Sequence, residues 1–242
     1  MKNNIILIVS FVFSITTYAQ SINHLENGVT QYEQNYPDGM VSARYYFDAN
    51  NQRTGLWQTY QQNGYLDCEI EYKNNIPDGI YKEYYEDICH AVVHYKDGVL
   101  HGNFEWRYWK DTSIVQAKGE YTNGNKYGRW SYQDLNKNTL IGVYTNTVPD
   151  SIWTLYNKEG VKVAEVTYVK GEALGDYTLY FSNGKLREKG AIKDGYFYGK
   201  SIIFDEDGNE KEVDRTDKKI RCPHPEDIYK RAEKSFVRVR YK

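Results

Sequence analysis

Gly55-Leu56-Trp57-Gln58-Thr59-Tyr60-Gln61-Gln62-Asn63-Gly64 returns 120 residues later as Gly175-Asp176-Tyr177-Thr178-Leu179-Tyr180-Phe181-Ser182-Asn183-Gly184. An offset of 120 is five units of about 24 residues, and a fixed period of that length signals a repeat architecture. Between and around the two copies runs an anchor column of Gly55, Gly79, Gly102, Gly128, Ser151, Gly175 and Gly199, with steps of 24, 23, 26, 23, 24 and 24. Two positions after each anchor stands an aromatic: Trp57, Tyr81, Phe104, Trp130, Trp153 and Tyr177, with Ser201 breaking the series. Tyr60, Tyr84, Tyr156, Tyr180 and Phe204 follow the anchor by five, and Tyr72, Tyr95, Tyr121, Tyr144, Tyr168 and Ile192 close the units. A half-unit, Pro37-Asp38-Gly39 with alternating residues up to Phe47, precedes the first anchor.

Each unit reads as a β-hairpin. Asn63-Gly64, Glu159-Gly160, Asn183-Gly184 and Asp207-Gly208 stand mid-unit, and Asn-Gly and Asp-Gly favour the positive φ of tight hairpin turns. The strand after the turn alternates: Leu66, Cys68, Ile70 and Tyr72 on one face, Asp67, Glu69 and Glu71 on the other. Period two with one apolar face means a half-buried antiparallel strand. The anchor glycine is expected to turn the chain into the next hairpin, because φ is positive there or a side chain would clash. The reading is an all-β chain: an elongated antiparallel meander of about seven hairpin repeats of 23–26 residues, spanning 37–215. A lead-in at 20–36 precedes it and a basic tail or cap at 216–242 follows. In that tail, Pro225 opens a possible helix through Lys234, and Phe236–Tyr241 alternates like an edge strand.

The first nineteen residues read differently. Met1-Lys2, an apolar run from Ile5 to Ile15 and Thr17-Tyr18-Ala19 make a secretory signal peptide, with cleavage expected after Ala19. The run is too short to span a bilayer. The mature chain is therefore expected in a periplasm or outside the cell.

Charge narrows the partners. Gln20–Glu210 carries a net −8 and Lys211–Lys242 a net +5. An acidic body argues against nucleic acid and anionic lipid, which both require a basic face. A 16% aromatic content argues against disorder.

At these columns the chain resembles the MORN-variant repeat family, whose bacterial members of the YwqK type are labelled antitoxin-like. The resemblance rests on G-x-W-x-x-Y, N-G-x-L and Y-x-x-G at about 24 residues and covers roughly Asp38 to Arg215. It departs at the third copy, which has Lys110-Asp111-Thr112 in place of a turn glycine, and at Ser151 and Ser201. The family implies a sheet of hairpins used for protein or surface interaction.

Chemistry is sparse. No nucleophile elbow, phosphate loop or Cys-x-x-Cys stands out. His90 and His94 are four apart on one expected strand, ~13 Å, too far to share a metal. They are expected as exposed cross-strand residues. Asp205–Glu210 lacks calcium-loop spacing and is expected as a turn. The reading is therefore non-catalytic, with no cofactor and no metal. Cys68 and Cys89, in neighbouring repeats, form a possible disulfide.

Function stays open between a protein-interaction scaffold of the envelope, a cell-wall or glycan-binding module and an antitoxin-like protein. Candidate contact residues are Trp57, Tyr81, Trp130, Trp153 and Tyr177; the same rings equally serve to pack the hairpins together. The expected partner is another envelope or secreted protein, with a glycan as the alternative.

Overall fold

The computed structural model describes residues 20–216. The signal-peptide reading of 1–19 and the helix and strand readings within 217–242 lie outside the described residues. Seventeen strands make up the fold, all antiparallel, with no helix among the described residues. They are β1 (Gln20–His24), β2 (Thr30–Asn35), β3 (Val41–Phe47), β4 (Arg53–Tyr60), β5 (Leu66–Lys73), β6 (Ile76–Tyr85), β7 (Ile88–Lys96), β8 (Val99–Tyr108) and β9 (Asp111–Thr122). β10 (Asn125–Gln133), β11 (Thr139–Thr145), β12 (Val148–Tyr156), β13 (Lys162–Val169), β14 (Glu172–Tyr180), β15 (Leu186–Lys193), β16 (Tyr196–Phe204) and β17 (Glu210–Asp214) complete the set. The residues fall into two compact units. Unit 1 runs to Glu105 and takes in Tyr121–Asn125; unit 2 comprises Trp106–Glu120 and the chain from Lys126.

In unit 1, each strand from β1 to β7 pairs with the next in the chain. In unit 2 the same holds from β10 to β17. This is the meander expected from the hairpin columns. It starts earlier than the half-unit at Pro37, because the lead-in itself forms β1 and β2 around a turn at Gly28.

The anchors carry the main correction. They do not turn the chain into a new hairpin; they sit inside strands β4, β6, β8, β10, β12, β14 and β16. Every one of them has positive φ, from 62° at Ser151 to 138° at Gly79. Where the register is resolved, the anchored strand carries three residues opposite one. Gly55–Trp57 face Tyr45, Asp78–Ile80 face Glu71, Ser151–Trp153 face Gly142, Leu174–Asp176 face Thr167, and Gly199–Ser201 face Gly190. The anchor column is thus a repeated β-bulge, which bends and twists its strand. The glycine serves the dihedral angle more than the space: a Cβ on Gly128 or Gly199 would touch nothing within 4 Å. Gly79 is the exception, where a Cβ would run into the Glu71 side chain.

The turns fall into two kinds. One is a two-residue loop with both residues left-handed: Asn74-Asn75, Glu86-Asp87, Asp97-Gly98, Asn123-Gly124, Asn146-Thr147, Lys170-Gly171 and Asp194-Gly195. This is the mirror-image turn whose twist matches that of the strands. The other closes over five residues and is left-handed at its fourth, a glycine where Asn63-Gly64 and Asn183-Gly184 fall, but Asn51 in the turn 48–52 and Lys137 in the turn 134–138. Gln61 N–H donates to Tyr65 O at 2.8 Å and Gly64 N–H to Gln61 O at 2.8 Å.

Successive two-residue turns are tied to one another. Asn75, Gly98, Gly124, Thr147 and Gly171 each donate a backbone N–H to the residue two before the preceding anchor: Arg53, Pro77, Leu100, Lys126 and Pro149, at 2.8–3.0 Å. The β-branched residue after one turn lies under the glycine of the next. Val99 Cγ1 would stand 3.3 Å from a Cβ on Gly124, and Ile76 Cβ 3.7 Å from one on Gly98. Neighbouring repeats therefore hold each other, as stacked repeats must.

Candidate interaction surface

Alternation gives each strand two faces, and the bulge decides what fills the inner one. Trp57, Tyr81, Phe104, Trp130, Trp153 and Tyr177 are all only 1–6% exposed. The closing column is buried with them at Tyr72, Tyr95, Tyr144, Tyr168 and Ile192. Rings meet at 5.0 Å for Trp57–Tyr72, 5.9 Å for Trp130–Tyr144 and 5.1 Å for Trp153–Tyr144, mostly tilted or edge-on. Such offset pairs suit aromatic quadrupoles. The indole of Trp57 donates to Tyr46 O at 3.0 Å, and that of Trp130 to Glu120 O at 3.1 Å. A Cβ on Gly119 or Gly142 would overlap the Trp130 or Trp153 ring, so glycine there makes the seat for the tryptophan.

The five rings expected as contacts, Trp57, Tyr81, Trp130, Trp153 and Tyr177, are therefore the core and do not reach a partner. The cysteine expectation is corrected too. Cys68 and Cys89 are both free thiols. Cys68 on β5 faces Glu83 of β6, and Cys89 on β7 faces Tyr84 of β6. A whole strand separates them, roughly 9.5 Å by strand spacing, beyond disulfide reach. Burial pushes the Cys68 thiol up to about 12, so it stays protonated and inert. His90 is not exposed, but 5% accessible with Nε2 3.7 Å from Glu83 Oε1; His94 is half-buried, its Nδ1 2.9 Å from Asn103 O. Among the described residues no group of three His, Cys, Asp or Glu is placed to hold a metal ion. Asp205–Asn209 forms a turn closed by Gly208 N–H to Asp205 O, as expected from its dipeptide.

Two polar clusters went unread in the sequence. In unit 1, Glu69 lies between Gln58 and Lys82 on the flanking strands. It accepts from Lys82 Nζ at 2.9 Å, Tyr84 Oη at 2.9 Å and Gln58 Nε2 at 3.3 Å. Burial raises its carboxyl pKa, but these donors outweigh burial and leave it below the usual value. In unit 2, Tyr177 Oη donates to Glu188 Oε1 at 2.6 Å and lies 2.8 Å from Ser201 Oγ. Arg215 Nη2 bonds the same Glu188 oxygen at 2.8 Å, and its guanidinium stands 5.2 Å from the Phe197 ring centre. This explains the break at Ser201. The serine is fully buried and leaves the room that the Tyr177 hydroxyl and the Arg215–Glu188 pair fill. Burial, then Glu188, raise the Tyr177 pKa, so the phenol remains a donor.

The outer face of unit 2 carries exposed apolar side chains, as that of unit 1 does at Leu56, Ile76 and Val99. Val143 of β11, Ile152 of β12, Leu174 of β14 and Tyr198 of β16 are all exposed, Ile152 at 55%. Ile152 faces Thr167 across β12–β13 and Tyr198 faces Ala191 across β15–β16, while Val143 lies between Arg129 and Asp150 and the Lys193 ammonium stands 5.4 Å from the Tyr198 ring centre, so charges are interleaved with the apolar side chains. Its signal in the sequence is faint: Ile152, Leu174 and Tyr198 sit one position from an anchor and Val143 one before the closing Tyr144, on the face assigned to solvent. No protein-family model matches the chain and no curated protein matches it.

Proposed function

We propose that the chain is an exported, non-catalytic interaction scaffold of the MORN-variant type, whose partner is another protein of the envelope or the extracellular space. The observation that carries this reading is the set of exposed apolar side chains on one outer face, Val143, Ile152, Leu174 and Tyr198. Exposed apolar patches rimmed by polar residues mark protein interaction sites. The acidic body and the Met1–Ala19 segment support an exported partner rather than nucleic acid. The alternative glycan reading loses its tryptophans, since Trp57, Trp106, Trp130 and Trp153 are buried and cannot stack on sugars.

The test is a paired capture. Immobilised Gln20–Lys242 and its Ile152→Lys variant are exposed to the host's detergent-solubilised envelope. One near-stoichiometric protein held by the wild type and lost by the variant supports the reading. Retention of soluble cell-wall glycan by both forms, with no such protein, overturns it.

A further inference from the structure

The outer face at the β15–β17 end of unit 2 is sorted by charge, strand by strand. β15 presents Arg187 and Lys189, β16 presents Ile202 and Phe204, and β17 presents Glu210 and Glu212; the charged side chains are exposed and the apolar ones half-buried. Strand pairing sets them in level rows. Lys189 faces Ile202, and Ile202 faces Glu212. Glu188 faces Ile203, so Arg187 falls level with Phe204, which faces Glu210. Each row reads cation, apolar, anion across three strands. The Lys189 ammonium stands 5.8 Å from the Phe204 ring centre, so it lies over this face.

We propose that two copies of the chain meet on this face, about a two-fold axis that lies between the stacked sheets and runs along β16. Rotation about that axis keeps each row at its own height and reverses its order. Arg187 then meets Glu210 of the second copy, Lys189 meets Glu212 of the second copy, and Ile202 and Phe204 each meet their own counterparts. A two-fold contact requires such a self-complementary patch, and an apolar centre with a charged rim is the usual plan of an interface. An axis across the strands would instead lay β15 on β15 and β17 on β17, like charge on like, so charge selects the axis. Lys200, also on β16, is drawn off the axis by its own Glu212 at 2.8 Å. A carboxylate accepts at both oxygens, so Glu212 serves Lys189 of the second copy as well. Asp214 lies level with Lys200, away from both rows, and takes no part. Tyr198, 46% exposed, continues the apolar centre along β16. The contact goes beyond the envelope-partner reading and does not rest on it, since Ile152 lies on β12, ~19 Å from β16 by strand spacing.

Sedimentation velocity of Gln20–Lys242 tests this. The wild type is expected at the mass of two chains at micromolar concentration, dissociating as salt rises. Arg187→Glu/Lys189→Glu and Glu210→Lys/Glu212→Lys are each expected to lose the two-chain species, because each sets like charges in contact. Their equimolar mixture is expected to recover it: the acidic β15 of the first variant meets the basic β17 of the second, and the acidic β17 of the first meets the basic β15 of the second. Recovery also shows that both variants fold. Ile202→Cys, on the axis, is expected to cross-link to its counterpart on oxidation above the wild-type background, while Ile152→Cys is not. A single-chain mass for the wild type overturns the proposal, as does a two-chain mass that survives both reversals. A mixture that stays at one chain while both variants keep the wild-type circular dichroism overturns it too. A two-chain mass lost on Ile152→Lys places the second copy on β12 instead, and overturns the assignment to β15–β17.

Discussion

The β4–β6 region of unit 1 and the β12–β14 region of unit 2 are the same construction 96 residues apart. Gly55, Trp57, Glu69, Gly79 and Tyr84 correspond to Ser151, Trp153, Glu165, Gly175 and Tyr180, and the strand registers coincide: Gln58–Glu69–Lys82 against Thr154–Glu165–Thr178. Inside, the plan is shared although side chains such as Ile70 and Val166 differ: a buried tryptophan sits behind a left-handed anchor in both. Outside, the two part company. Unit 1 threads Gln58, Lys82 and Tyr84 onto Glu69, while unit 2 has threonines in place of Gln58, Glu71 and Lys82. Its Glu165 is met by Tyr180 at 2.9 Å and Lys162 at 3.1 Å. The bulge and the ring behind it make the fold. The outer row is free of that duty, so its charges differ between the two regions, with threonines in the second where the first has Gln58, Glu71 and Lys82.

If the inner construction is common to both regions, Trp57→Ala and Trp153→Ala carry the largest cost. Each is expected to remove about 3–5 kcal/mol, the range for emptying a large aromatic site. Urea unfolding followed separately by exchange in each unit checks this. Retention of stability by either variant breaks the equivalence.

The anchors sharpen the comparison at a smaller scale. Gly79→Ala meets both a positive φ and the Glu71 side chain, and is expected to cost about 1–3 kcal/mol. Ser151 already sits at φ 62°, steadied by its N–H donating to Asp150 Oδ1 at 2.8 Å. Ser151→Gly is expected to stabilise by up to about 1 kcal/mol, since glycine pays no left-handed penalty. Thermal midpoints of the two variants should therefore move in opposite directions.

Much of this was legible because periodicity survives in a single sequence. The spacing of Gly55, Gly79 and their successors and the rings two positions on led directly to hairpins in series. What misled was the assumption that a recurrent glycine marks a turn. The true turns at Asn74-Asn75, Glu86-Asp87 and Asn146-Thr147 contain no glycine, while the recurrent glycine lies mid-strand. A left-handed residue within a strand looks, in sequence, like one between strands. The contact rings misled for a related reason: Tyr and Trp suit a core and an interface equally, and only the depth of the Gly142 and Gly119 seats tells them apart. Arg215 was unreadable because its partner Glu188 lies 27 residues away, outside any column.

Converting one outer face toward the other gives the next effect down. Lys82→Thr makes unit 1 resemble unit 2 and leaves Glu69 without its cation, for a loss of about 1 kcal/mol at neutral pH. Sign follows from the direction of the shift. The Glu69 carboxyl lies below its ordinary value in the folded protein. Its contribution is present above the unfolded pKa of about 4.3 and fades as pH falls through the lower folded value. The gap in stability between wild type and Lys82→Thr should therefore be full at pH 7 and narrow below about pH 4. A gap that widens on acidification breaks the assignment of Lys82 to Glu69.

Ile152→Lys is expected to do least to the fold and most to the partner. Its side chain is more than half exposed, so stability should stay within about 0.5 kcal/mol of wild type. Leu56, its counterpart 96 residues earlier, is also exposed, but Glu71 faces it where Thr167 faces Ile152. A lysine at 56 gains a carboxylate opposite; a lysine at 152 finds Thr167 opposite and replaces an exposed apolar side chain with a charge. Leu56→Lys should therefore leave partner capture intact while Ile152→Lys abolishes it, both at unchanged thermal midpoint. Equal loss in the two variants would place the contact on both outer faces and erase the functional difference between the regions.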